Sequence, residues 1–234
     1  MLFILGHMRT GSSLLAHILA SHQNVLGYGE THNVYTRPED FGATTATVRR
    51  HLRRVVSSQE KYLLDKVLHK HQIAEMEVLN HSSVRVIFMI RRSDMALSSI
   101  IQNVGFIQKS EQAYQHYAEQ VEWVGTLAEA LSSDRWTSTT YTELTQETNT
   151  VLSRLEPFLD LSEPLTEHYD TNRYTGVSGI GDPGPHIESG YIKPNIDRDV
   201  DPRIRSHLDR AWERFESCAQ LLRDGDQLVD SGSA

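Results

Sequence analysis

The chain has 234 residues, enough for one good-sized core or at most two small ones, with 38% hydrophobic and 23% charged residues. Its formal charge of −8 argues against a nucleic-acid or anionic-membrane surface as the main partner and leaves room for a local basic pocket. The single cysteine, Cys218, excludes an intramolecular disulfide framework; with no apolar run near the length of a membrane span and no signal-peptide pattern, a cytoplasmic location is expected.

Leu2–Leu5 reads as a strand that begins almost at the first residue. Gly6 and Gly11 then bracket a tight turn, and Ser12 and Ser13 open a segment whose Leu14, Leu15, Ile18 and Leu19 fit one helical face. A strand, a glycine-bounded loop and a helix N-terminus aim backbone N–H groups and the positive end of a helix dipole at one spot, which suits a phosphate. Gly6 and Gly11 have the spacing of a Walker A loop, but Ser12 stands where that motif has lysine, and the only cation in the loop is Arg9. An anion site is therefore expected without the usual triphosphate chemistry. The plainer reading is a glycine turn that packs a helix on a strand.

Further along, a short strand is expected around Leu26–Gly29. Val48, Leu52, Val55 and Val56 share a helical face, with the basic run Arg49–Arg54 on its solvated side. Tyr62–Asp65 and Arg85–Ile90 read as strands, the latter part of a nearly continuous apolar run suited to the middle of a parallel sheet. That run ends in Arg91 and Arg92, Ser93 or Asp94 can cap the next helix, and Ser98 and Ser99 lie one to two turns into it. An arginine at a strand end and a serine in the following helix can hold one phosphate from two sides. Tyr117, Val121, Val124, Leu127 and Leu131 mark a longer helix, Thr137–Tyr141 a last strand, and Val151, Leu152, Leu155, Phe158 and Leu159 another helix. Residues 170–200 are rich in glycine and proline and read as a long functional loop; a helix from about Pro202 to Leu222 follows. The alternation predicts a single α/β domain over residues 1–225, a mostly parallel sheet flanked by helices of the P-loop nucleotide-binding type, with a flexible tail over 226–234. Ligands of such sheets sit beyond the carboxyl ends of the strands, where the glycine loop lies.

Two anion-ready turns in one sheet suggest a ligand with phosphates at two separated positions. In this order they resemble the sulfotransferases that use 3′-phosphoadenosine 5′-phosphosulfate. MRTGSSLL, Met8 to Leu15, resembles that family's 5′-phosphosulfate loop. IRRSDMALSS, Ile90 to Ser99, resembles its 3′-phosphate motif, an arginine followed eight residues later by a serine. TTYTELTQETNTVLSRLEPFL resembles the family's tyrosine–acid–leucine strand end and the helix after it, and TGVSGIGDPGPHIESGYI the glycine-rich segment that closes over the nucleotide. The resemblance covers most of residues 1–193. The family often has lysine where this chain has Arg9, and arginine keeps the charge while adding bidentate geometry.

The resemblance implies a donor site made by Arg9, Thr10, Gly11, Ser12 and Ser13 at the 5′ end, Arg91 with Ser99 or its neighbour Ser98 at the 3′ end, and Gly181 in the closing loop. It implies an acceptor hydroxyl on a small molecule, carbohydrate or lipid, and no metal, because the sulfuryl group carries less charge than a phosphoryl group. A cation is needed at the leaving oxygen, and Arg9 or Lys66 fills that role. A base is needed for the acceptor proton. Glu30, in GYGETHNVY, follows the second strand and matches a glutamate–x–histidine context with His32. His69, three residues after Lys66, is the rival base. Two other functions are compatible with the loops. Tyr62–Asp65 resembles a Walker B strand ending in a magnesium-binding acid, as in a small-molecule kinase or nucleotide hydrolase, and a non-catalytic module could keep both anion turns.

Overall fold

The computed structural model describes residues 1–53, 57–177, 187–194 and 199–231. Five strands form one parallel sheet: β1 (Leu2–Gly6), β2 (Val25–Leu26), β3 (Tyr62–Val67), β4 (Arg85–Ile90) and β5 (Trp136–Thr140), in the order β2-β3-β1-β4-β5. The helices between them are α1 (Ser12–Ser21), α2 (Asp40–Leu52), α3 (Glu77–Asn80), α4 (Ser93–Asn103), α5 (Ser110–Ala130), α6 (Tyr141–Gln146), α7 (Thr148–Phe158) and α8 (Leu208–Ser231).

The period of two along the strands divides the core into two layers. Leu2 and Ile4 of β1, Leu64 of β3, and Ile87 and Met89 of β4 face α1 and α7, packing with Leu15, Leu19, Leu152 and Leu155. Phe3 and Leu5 of β1, Val67 of β3, and Val86, Phe88 and Ile90 of β4 face the other way, against Leu97, Tyr117, Val121 and Leu222. β1 is the middle strand, with β3 on one side and β4 on the other. The chain leaves it toward β2 and β3 and later returns to β4, so a crevice opens at its carboxyl end. Residues 7–11 occupy that crevice.

Four boundaries differ from the sequence expectation. β2 is only Val25–Leu26, and residues 27–35 run past its end. β3 continues to Val67, so Lys66 lies inside a strand rather than beyond one. β5 stops at Thr140, and Tyr141 begins a helix. There Thr140 accepts a hydrogen bond from Glu143 N–H while the Glu143 carboxylate accepts one from Thr140 N–H at 2.7 Å, a reciprocal cap that ends the strand. The last helix continues past Leu222 to Ser231. Val55, Val56 and Gly181 lie outside the described residues. Arg49, expected on the solvated side of α2, instead pairs with the buried Glu60 at 2.8 Å.

Gly6 permits a close approach of β1 to β4, since a Cβ there would collide with the Met89 carbonyl of β4. Gly6→Ala is expected to push β1 from β4 and to lower stability by about 1–3 kcal/mol, the usual cost of overpacking, read from the midpoint of urea denaturation.

Candidate active site

The loop after β1 is held in shape by its own polar groups. Arg9 (φ 65°) and Gly11 (φ 93°) are left-handed, Thr10 N–H donates to His7 O at 3.3 Å, and Ser12 N–H donates to Thr10 Oγ1 at 3.2 Å. Thr10 is completely buried, so its hydroxyl orders the turn from within. Gly11 has no room for a side chain because the Tyr141 ring lies against it. Its left-handed φ disfavours other residues as well. α1 begins at Ser12 with no acidic residue in its first turn, which leaves the positive helix end facing the crevice.

On the β4 side, Arg9 Nε donates to Ser99 Oγ at 2.9 Å, and Arg91 Nη1 donates to the Arg9 carbonyl at 3.1 Å. The Arg91 guanidinium lies over the Tyr141 ring, 4.1 Å from its centroid. The two anion turns read from the sequence are thus parts of one cluster. Ser98 is not part of it: Ser98 is buried and its hydroxyl accepts a hydrogen bond from Asp201 N–H at 3.0 Å, anchoring the segment before α8. Ser93, the first residue of α4, has a buried hydroxyl with no hydrogen-bond partner among the described residues. Two guanidinium groups, two helix starts and an unsatisfied hydroxyl suit a phosphate there.

His7 locks this cluster from below, a role its sequence position gave no signal for. Its ring is fully buried; Arg91 N–H donates to Nε2 at 3.2 Å, so the other nitrogen carries the proton and donates to Met8 O at 2.8 Å. The bond from Arg91 requires the neutral ring, and burial, with smaller contributions from the nearby His116 and Arg91, pulls its pKa down to about 3, although the Met8 bond favours the proton.

On the β3 side, Lys66 is 3% exposed. Its Nζ donates to Ser13 Oγ at 3.0 Å and lies 3.4 Å from Glu30 Oε2. The other Glu30 oxygen lies 3.5 Å from Nδ1 of the exposed His32, and Glu30 itself is buried. Ser13, Lys66, Glu30 and His32 therefore form a continuous line from the anion loop outward. An unpaired charge in such a place would cost several kcal/mol, so each of these charges depends on the other. His69 follows β3, half-buried, stacked on His71 with ring centroids 5.6 Å apart and 6.1 Å from His116 of α5. Burial is the main cause of its lowered pKa, and the Glu30 charge acts against that shift. His69 is thus near enough to Glu30 and Lys66 to feel their charges.

Asp65 does not extend toward the anion loop. It is fully buried, and its carboxylate accepts hydrogen bonds from Thr31 N–H, Thr31 Oγ1, Tyr35 OH and Lys66 N–H. The magnesium-binding role suggested by the Walker B resemblance is thereby replaced by four protein donors. Among the described residues no group of three or more His, Cys, Asp or Glu side chains is arranged to hold a metal ion, and no helix is long and apolar enough to cross a membrane.

Residues 2–83 match the model of a sulfotransferase family. No curated protein matches the chain in sequence. Among solved structures, the sulfotransferase domain from the curacin biosynthetic pathway superposes with a TM-score of 0.63 at 17% identity, over 92% of this chain and 97% of that one. The sulfotransferase domain from the Synechococcus PCC 7002 olefin synthase gives 0.62 at 19% identity, over 92% and 94%. Mouse sulfotransferase SULT7A1, solved as a complex with PAP, gives 0.50 at 11% identity, over 98% and 88%. The chain has the sulfotransferase fold, and the resemblance carried by its two phosphate motifs is borne out.

The unfolded chain binds a proton on His7 near the ordinary 6.5, whereas the folded chain resists it down to about 3. The stability that neutral His7 supplies is therefore complete above pH 6.5 and drains as pH falls from 6.5 toward 3. Thermal melts of the wild type and His7→Gln across this window should show a shallower acid-side loss in the variant.

Proposed function

We propose that the chain is a sulfotransferase that moves the sulfuryl group from 3′-phosphoadenosine 5′-phosphosulfate to a hydroxyl of a small-molecule, carbohydrate or lipid acceptor. The observation that carries this reading is the line Ser13–Lys66–Glu30, buried and paired, beginning at the anion loop. A structural ion pair needs no such continuity with a phosphate cradle.

The nucleotide donor brings an activated sulfuryl group on its 5′-phosphate and a second anion at its 3′ position. Arg9, the α1 N-terminus and the Ser12 and Ser13 hydroxyls hold the 5′ end, and Arg91 with Ser99 holds the 3′ end. Tyr141, stacked under Arg91 and filling the space beside Gly11, keeps the guanidinium flat and the loop closed. The two arginines are thus prepaid in geometry, which is what an in-line transfer governed by position and charge requires.

Glu30 takes the proton of the acceptor hydroxyl as its oxygen bonds to sulfur and the bond from sulfur to the 5′-phosphate oxygen breaks, leaving adenosine 3′,5′-bisphosphate. Lys66, between Glu30 and Ser13, faces the charge that grows on that oxygen. His32 lies on the outer side of the Glu30 carboxylate, where a proton can pass to solvent. His69 stands beside this path as a lesser candidate for the base.

Adenosine 3′,5′-bisphosphate should raise the melting temperature more than magnesium–ATP does, because only the first offers anions at both positions. Glu30→Gln should keep that shift. Against a panel of phenols, sugars and lipid alcohols with labelled donor, it should lose sulfate transfer by ~100-fold or more, the usual scale of a general base. His69→Asn should lose far less. Stabilisation by magnesium–ATP alone contradicts the sulfotransferase reading, and full turnover by Glu30→Gln contradicts the assignment of the base.

A further inference from the structure

Residues 28–35 carry Glu30 across the sheet edge with little regular structure of their own. His32 is left-handed at φ 58°, and Val34 is half exposed. A loose segment is a poor mount for a group that must abstract a proton within about 0.5 Å of the right place. The mount comes from the neighbouring strand. Asp65 and Lys66 are consecutive in β3, so they leave opposite faces of the sheet. Lys66 meets Glu30 from one face while Asp65 ties down the residues after it from the other.

The attachment is complete. Asp65 Oδ1 accepts from Thr31 N–H at 2.9 Å and from Lys66 N–H at 3.0 Å; Oδ2 accepts from Thr31 Oγ1 and from Tyr35 OH, both at 2.6 Å. The last two are short, as expected when the acceptor is ionised. Lys66 N–H also donates to Gly29 O at 3.1 Å, so the residues on both sides of Glu30 are tied to β3 at adjoining positions. Tyr35 is fully buried, edge-on to Phe3 of β1, and its hydroxyl accepts from Thr44 Oγ1 of α2, which in turn accepts from Asn33.

We propose that Asp65 is a positioning residue for the transfer reaction: its carboxylate clamps Thr31 and Tyr35 and so fixes Glu30 against Lys66. This rests on the sulfotransferase reading of the site. All four of its partners are donors, so the clamp is made for the ionised form. Protonation forces one hydroxyl to turn and accept, which loosens the short bonds. The charged and titratable groups around Asp65 are Glu30, Tyr35 and Tyr28 on the 28–35 segment and Lys66 on its own strand. Burial first, with the Glu30 charge adding to it, raises the Asp65 pKa to about 6 in spite of these donors. The clamp therefore opens as pH falls through about 6, and the acid limb of the rate profile belongs in part to a group that never touches substrate.

Asp65→Asn mimics the protonated form. The test follows release of adenosine 3′,5′-bisphosphate from the donor with water as acceptor, between pH 5 and about 9, beside the thermal shift with that nucleotide. The variant should keep the nucleotide shift, lose ~10- to 100-fold in kcat above pH 7, and lose the limb near pH 6. Tyr35→Phe and Thr31→Val, which each remove one donor, should fall between it and the wild type; they carry the test if Asp65→Asn does not fold. Wild-type rates and an unchanged acid limb in all three variants overturn the positioning role. A wild type that neither binds the nucleotide nor releases it from the donor overturns the sulfotransferase reading itself, a different result from a wild type that works and variants that match it.

Discussion

A lysine and a glutamate buried side by side have to be held together by everything around them. Lys66 is 3% exposed, and its ammonium is held between Glu30 and Ser13. Taking either charge out of water is costly, and the cost is offset only while the other stays within reach. This requirement fixes the length of β3, which must extend to Val67 so that Lys66 is presented by a rigid strand. It fixes the course of residues 28–35, which must bring Glu30 back over that strand. It also places α1, whose Ser13 supplies the remaining bond. A fold that sought stability alone would have put an apolar residue at position 66, since it faces the same layer as Leu64.

The same middle strand separates two kinds of work. To the β4 side lie Arg9, Arg91 and Ser99, cationic and polar groups that answer an anion. To the β3 side lie Lys66 and Glu30, a buried ion pair. The loop after β1 touches both through Arg9 and Ser13. A chain with a formal charge of −8 thus concentrates positive charge beside the loop after its middle strand, with the Glu30 carboxylate paired next to it.

The sheet was legible because central parallel strands are buried on both faces and read as apolar runs; Leu2–Leu5 and Arg85–Ile90 needed no more than that. The loop was legible because Gly6 and Gly11 are there for backbone reasons, one for close approach to β4 and one for a left-handed turn. Lys66 was harder. The run YLLDKV breaks its apolar pattern at Asp65 and Lys66, and a sequence reading ends the strand there, whereas the structure buries both residues by giving each polar partners from distant segments. Asp65 looked like a metal ligand for the same reason, because Thr31 and Tyr35 are about 30 positions away in the chain. The choice between Ser98 and Ser99 depended on Asp201, more than 100 residues further on, whose N–H occupies Ser98. His7 sat in plain view inside the quoted loop, yet nothing local says that its ring would receive the Arg91 amide.

A double-mutant cycle on Glu30 and Lys66 tests the central claim most directly, with kcat measured for Glu30→Gln, Lys66→Met and the pair. If the two act as one unit, each single variant loses nearly as much as the double, and the losses fail to add by more than about 1 kcal/mol. Losses that add across the pair would show that the residues contribute independently and would contradict the account.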